Sequence, residues 1–304
     1  MGIGEMTAMG GMDGPIGGRV FCDGLLLTAL LFVFGLALFM LKVAPAGPYI
    51  DDHNPAFWIL LRLLAAVQLL LWPVKLLSNV VSMAGVTLRQ AVPFVPEVLR
   101  ETHFGHDWLA TAPLALALVV VAWISGRAST RAGLLVFISA AMLVLWALSS
   151  HAIDCGPVAV AVYSLHEAAA GLWAGSLLGL WMVARRGSLD DCLIERITQR
   201  VSRLSGWCVA GLVLSGAYLA YNTLGLSLNH LVYSAYGETL FAKVSVFAVI
   251  AGTGGYNRYR LVPAVGSASA RHNLLRNVGI ECLLMVGVLG LAALLANTPP
   301  AHHH

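Results

Sequence analysis

From His151 to Trp173 the chain reads HAIDCGPVAVAVYSLHEAAAGLW. His151, Asp154, Cys155, His166 and Glu167 stand there in otherwise apolar surroundings. Imidazole and thiolate are ligands for borderline and soft transition metals, and imidazole suits Cu(II) as well as softer ions. A carboxylate beside such a ligand can orient it. Spacing keeps the two histidines apart. CGP is a turn signal, so His151 ends one element and His166 lies inside the next. At a rise of ~1.5 Å per residue, His166 falls roughly 12 Å below the start of its helix. That depth favours successive stations on one path over two ligands on one ion. For His166 the competing reading is a histidine hydrogen-bonded between helices for packing.

Further candidate ligands lie elsewhere. Met6, Met9 and Met12 recur in MTAMGGM. Their thioethers are soft donors for Cu(I) and need no deprotonation. The competing reading is a glycine-rich start with incidental methionines. His103 and His106 stand in THFGHDW, where Asp107 is placed to hold a ligand imidazole from behind. Lys243, in YGETLFAK, has nearly the depth of Glu167. It either pairs with that carboxylate or carries its ammonium outward along its own stem. Gly171, Gly175 and Gly179 form a doubled small-xxx-small pattern, a device for close helix packing. No activated nucleophile with its base and no intramembrane acid pair is visible, which speaks against an enzyme. Cys22, Cys155, Cys192, Cys208 and Cys282 are scattered without a CxxC, which argues against a zinc knuckle or disulfide scaffold.

The elements that must position these groups are membrane helices. Of 304 residues, 59% are hydrophobic and 11% charged, and the mean hydropathy is +0.81. Such a composition belongs to an integral membrane protein. Apolar runs long enough to cross the hydrocarbon fall at about 19–41, 57–82, 108–125, 132–149, 158–183, 205–223, 236–256 and 277–296. The expected fold is an all-α bundle of eight transmembrane helices, because a helix satisfies its own backbone in lipid. Residues 1–18 read as a polar Met/Gly-rich leader, 19–296 as the helical domain, and 297–304 as a tail whose final HHH resembles a tag remnant.

Orientation follows from charge. The loops after the first, third, fifth and seventh helices hold Lys42, Arg127, Arg131, Arg185, Arg186, Arg196, Arg200, Arg203, Arg258, Arg260, Arg271 and Arg276. The other side holds Arg19, Arg89 and Arg100. The positive-inside rule makes the first set cytoplasmic and both termini periplasmic. The net charge of +3 is then a matter of topology and gives no reason to expect nucleic acid. His103, His106, His151 and His230 fall at the outer face.

Several segments resemble the copper resistance protein D (CopD) family of bacterial inner-membrane proteins, most clearly over about residues 100–300. They are FGHDW at 104–108, SSHA at 149–152, HEAAAGLWAGSL at 166–177 and RVSRLSGWCVAGLVLSGAYLA at 200–220. YGETLFAK at 236–243, NRYRLVP at 257–263 and RNVGIE at 276–281 continue the series. His151, His166, Trp173, Tyr236, Gly237, Lys243, Asn257, Arg258 and Glu281 match the family pattern position by position. Ser176 and Glu167 depart from it, standing where small or apolar residues are usual. The resemblance implies copper handling at the inner membrane beside a periplasmic copper-binding partner of the CopC type. Copper transport, as Cu(I) or Cu(II) and inward from the periplasm, is the function expected from these residues. The alternatives are a b-type haem protein, which requires histidines at matching depth, and a non-transporting receptor for a periplasmic copper chaperone.

Overall fold

The computed structural model describes residues 15–44, 55–185, 191–224 and 232–298. Among these residues every regular element is helical. Eight helices are long and apolar enough to cross a membrane: α1 (Gly17–Val43), α2 (Pro55–Ala84), α3 (His103–Trp123), α4 (Ala128–Leu148), α5 (Pro157–Ala184), α6 (Asp191–Leu224), α7 (Ala235–Ala264) and α8 (Ala268–Ala296). The helical backbone itself begins at Pro15, inside the stretch read as a leader. Two short helices, Leu88–Ala91 and Val95–Glu101, occupy the connection from α2 to α3.

Local signals set several helix starts. Thr102 accepts a hydrogen bond from the Gly105 amide at 3.0 Å, and Ser234 accepts one from Gly237 at 3.0 Å. Each satisfies an amide that the helix cannot pair internally. Before α5 the turn is made by Gly156, at φ +92°, followed by Pro157 at the first helical position. The CGP segment is therefore the turn that its composition indicates.

α1 is the central post of the bundle. Its most apolar stretch is 78% buried within the protein, against 6% for α7. The segment LLLTALLFVFGLAL is apolar on every face, so no side of the helix is marked for solvent. It packs against α2, α4, α5 and α8. At the α1–α5 crossing, a Cβ on Gly35 would collide with the Gly171 carbonyl and the Gly175 backbone. Glycine is what lets the two backbones meet there. Gly179 plays the same part against the Phe39 ring.

Both described ends of the chain emerge at one end of the bundle, where Asn297 donates to Asp23 at 3.3 Å. Basic residues gather at the opposite end. There Arg131 donates to the Ala122 carbonyl at 2.8 Å and stacks 3.5 Å from the Trp58 ring centre. Arg62 reaches the same Ala122 carbonyl at 3.1 Å. Cations at the last carbonyls of a helix complement its dipole. Arg200 and Arg258 tie to the Val43 and Ser202 carbonyls at 3.1 and 2.9 Å.

Candidate functional site

A cavity of about 850 Å³ enters the bundle from the terminus-bearing end. Its mouth is formed by His103 and Asp107 of α3, Ser149, and the Ala152–Cys155 turn. Deeper in, Tyr163, His166 and Glu167 of α5 face Lys243 of α7. Asp23 of α1 and Lys75 of α2 line the wall on the N-terminal side. Trp173 and Phe247, in edge-to-face contact at 5.8 Å between centroids, lie at the inner end.

At the mouth, His103 Nδ1 lies 2.9 Å from Asp107 Oδ2, and Ser149 donates to the same oxygen at 2.8 Å. Asp107 thus fixes the ring of His103 in the way its sequence neighbourhood indicates, leaving the other ring nitrogen for a ligand. His106 is turned elsewhere. Its Nε2 donates to the Arg100 carbonyl at 3.0 Å, and its ring is not part of the cavity wall.

His166 lies nine residues beyond Pro157, about 14 Å along α5. Its Nδ1 is 2.8 Å from Ser215 Oγ on α6. That hydroxyl donates its one proton to the Gly211 carbonyl at 2.6 Å. Ser215 therefore accepts from His166, which places the imidazole proton on Nδ1 and the lone pair on Nε2. The ring rests against Gly216, where a Cβ would lie 3.4 Å from Cε1. Small residues on α6 make room for the ring and orient it.

Glu167 is 4% exposed and shares the cavity with Lys243. Among the described ion pairs none joins them within 4.0 Å, so they face each other through the cavity space. Lys243 is turned into the protein and does not carry its ammonium outward to the membrane surface.

The remaining sequence candidates distribute as follows. His151 opens a 3-10 turn, His151–Cys155, at the mouth. The side chains of His151 and Asp154 lie outside the described residues, as do Met6, Met9, Met12 and His230 in full. Cys155 is exposed with a free thiol and lines the mouth. Among the described residues no group of three or more His, Cys, Asp or Glu gathers as a metal cage. The candidate ligands form a sequence of separate positions, His103 at the mouth and His166 in the interior.

Sequence reasoning missed the N-terminal wall. Lys75 Nζ lies 3.6 Å from Asp23 Oδ1 and 3.5 Å above the Trp146 ring centre. Asp23 is 8% exposed. The available signal was an ionisable residue within each of two apolar runs, which marks a functional position by default.

Residues 15–157 match the family model of the copper resistance protein D-like N-terminal domain, and residues 195–295 match that of copper resistance protein D. The chain is 27% identical over 243 residues to inner membrane protein YebZ of Escherichia coli (strain K12), covering 78% of this chain and 81% of that protein. No solved structure matches. The likeness reaches well N-terminal of the segments that carry it most clearly in the sequence, and takes in Asp23 and Lys75.

Proposed function

Because the chain belongs to the copper resistance protein D family, we propose that it moves copper across the bacterial inner membrane. The ion is cargo, received at the terminus-bearing end and passed inward through the cavity. The observation that carries this reading is one continuous cavity whose wall holds His103 at its mouth and His166 within.

His103, anchored by Asp107, captures at the entrance. His166 offers Nε2 because Ser215 holds its other nitrogen. A lone pair presented on a fixed ring is what a transient metal station needs. Glu167 supplies negative charge beside the incoming cation, and Lys243 opposes retention by repelling it. A single strong ligand with a balanced field binds weakly enough for release. The basic asymmetry supports a periplasmic mouth, and a CopC-type periplasmic copper-binding protein is the partner we place there. The chain contains no nucleotide-binding P-loop, so we assign the driving force to a gradient or to that partner.

The test is copper flux into proteoliposomes, with Cu(I) and Cu(II) compared. His166→Ala is expected to stop flux at every copper concentration, while His103→Ala raises the concentration needed. Normal flux through a well-folded His166→Ala protein would retire the path and leave this histidine to packing.

A further inference from the structure

The cavity is of a size that binds organic molecules, which occupy sites of roughly 300–1,000 Å³. It also has a second opening. α6 and α7 are consecutive in the chain yet barely touch. Val213 of α6 and Val244 of α7 both belong to the cavity wall and are 52% and 54% exposed, whereas Trp173 and Met285 on the same wall are 2% and 3% exposed. Val244 shares a helix face with Phe241 and Ala248, both exposed. The rim of this gap therefore belongs to the surface that meets lipid.

Depth gives the opening its meaning. Val213 lies eleven residues before Leu224 and Val244 nine after Ala235, about 17 and 14 Å from the terminus-bearing end. His166 is at the same level. In a hydrocarbon core ≈ 30 Å thick, that level is close to the midplane. The lateral gap thus leads from the interior of the bilayer to a group of polar side chains, His166, Glu167 and Lys243, set in a largely apolar chamber.

The bilayer selects what can arrive by this route. Phosphate and carboxylate heads stay at the interface, since a charge at the bilayer centre is costly. A quinone ring is uncharged, dissolves in hydrocarbon with its tail, and presents oxygens on opposite sides. In the oxidised ring both oxygens only accept hydrogen bonds, whereas in the quinol each hydroxyl can also donate to an acceptor. Lys243 donates, Glu167 accepts, and His166 Nε2 accepts as the tautomer stands.

We propose that this part of the cavity binds a membrane quinone or quinol, which enters sideways between α6 and α7. Its ring lies at the level of His166, Glu167 and Lys243, and its tail passes between Val213 and Val244 into lipid. The site shares His166, Glu167 and Lys243 with the proposed copper path, but its test reads quinone binding in the absence of copper, so either assignment can fail while the other stands.

The experiment uses the full chain in detergent, titrated with a decyl-tailed benzoquinone in its oxidised and reduced forms. Quenching of tryptophan fluorescence reports occupancy, since Trp146 and Trp173 line the cavity. Decanol and palmitate are run as competitors. Saturable binding is expected, weakened roughly tenfold or more by Lys243→Met, as loss of a hydrogen bond to a charged group predicts. The Val213→Phe/Val244→Phe double variant should weaken it comparably, and Leu63→Phe on the lipid-facing side of α2 should not. Should the double variant fail to fold, Val244→Phe alone, at an exposed position, carries the same test. Quenching that never saturates, or that is equal in the rim variants and Leu63→Phe, overturns the site. Displacement by decanol as effective as by the quinone overturns the ring assignment, and preferential displacement by palmitate overturns the uncharged headgroup.

Discussion

Asp23 of α1 and Lys75 of α2 form a largely buried ion pair of 3.6 Å toward the terminus-bearing end of the bundle, with the Lys75 ammonium also resting on the Trp146 ring. Loss of Lys75 would leave Asp23 with Arg19 at 3.9 Å and Asn297 at 3.3 Å, and loss of Asp23 would leave the Lys75 ammonium on the Trp146 ring, so each single loss is expected to cost up to about 3 kcal/mol. Lys75→Met and Asp23→Asn are each expected to lower the melting temperature in detergent. The Asp23→Asn/Lys75→Met double variant should recover most of the loss, because neither charge is then stranded. If the double variant melts at the sum of the two single shifts, the residues are not coupled.

The α1–α5 crossing makes a sharper prediction about packing. A methyl group on Gly35 would meet the backbone of Gly171 and Gly175, which cannot rotate away. Gly35→Ala should therefore separate the helices and lose at least about 2 kcal/mol, in the range of overpacked cores. Gly211 has open space where its Cβ would stand. Gly211→Ala is expected to change stability by less than about 0.5 kcal/mol. Melting curves and the fraction of monodisperse protein in size-exclusion chromatography compare the two directly.

These contrasts show what the sequence could and could not convey. Hydropathy located all eight crossing helices, since a run of apolar residues must be helical in lipid. It placed the start of α6 too late, at 205, because the helix runs from Asp191 through ITQRVSR. The cue there was periodicity: Ile194, Ile197 and Val201 are buried, while Arg196 and Arg200 are exposed. His166 and Glu167 were legible as polar groups inside an apolar run. Ser215, 49 residues away, was not. Nor was the meeting of Asp23 with Lys75, because hydrophobic patterning tells which face of a helix is inward and not which neighbour it meets.

Ser215 is expected to act on copper through His166 alone. Its loss frees the imidazole to take either tautomer and to turn, so Ser215→Ala should weaken copper binding by about 10–100-fold, the usual effect of losing a partner behind a metal ligand. Ser215→Thr keeps the hydroxyl and should restore much of the affinity. The readout is the copper concentration giving half-maximal flux, set against melting temperature. A lowered melting temperature with unchanged concentration dependence would assign Ser215 to packing.

Orientation is tested by reporter fusions after residues 128, 190 and 265. Residues 128 and 265, and Arg185 and Asp191 on either side of position 190, belong to the end that collects the basic residues, which the positive-inside rule assigns to the cytoplasm. Each fusion is expected to give a cytoplasmic signal, and a fusion after residue 86 should give a periplasmic one. A periplasmic signal from any of the first three would reverse or break the arrangement, and with it the inward sense of the proposed path.

A third buried carboxylate, Glu281 on α8, is 1% exposed and has no part in the cavity. Asn257 donates to it at 2.6 Å and accepts from Asn277 at 2.8 Å. Since the Asn257 carbonyl is taken by Asn277, its amide nitrogen must be the group that meets Glu281, and the orientation of the chain of bonds is fixed. Asn257→Leu strands the carboxyl without that donor and should cost about 1–3 kcal/mol. Glu281→Gln keeps an accepting oxygen at the same place and should cost less than about 1 kcal/mol. Both are read as melting temperature in detergent. Greater damage from Glu281→Gln than from Asn257→Leu would mean that charge at position 281, and not the hydrogen-bond chain, is what the fold requires.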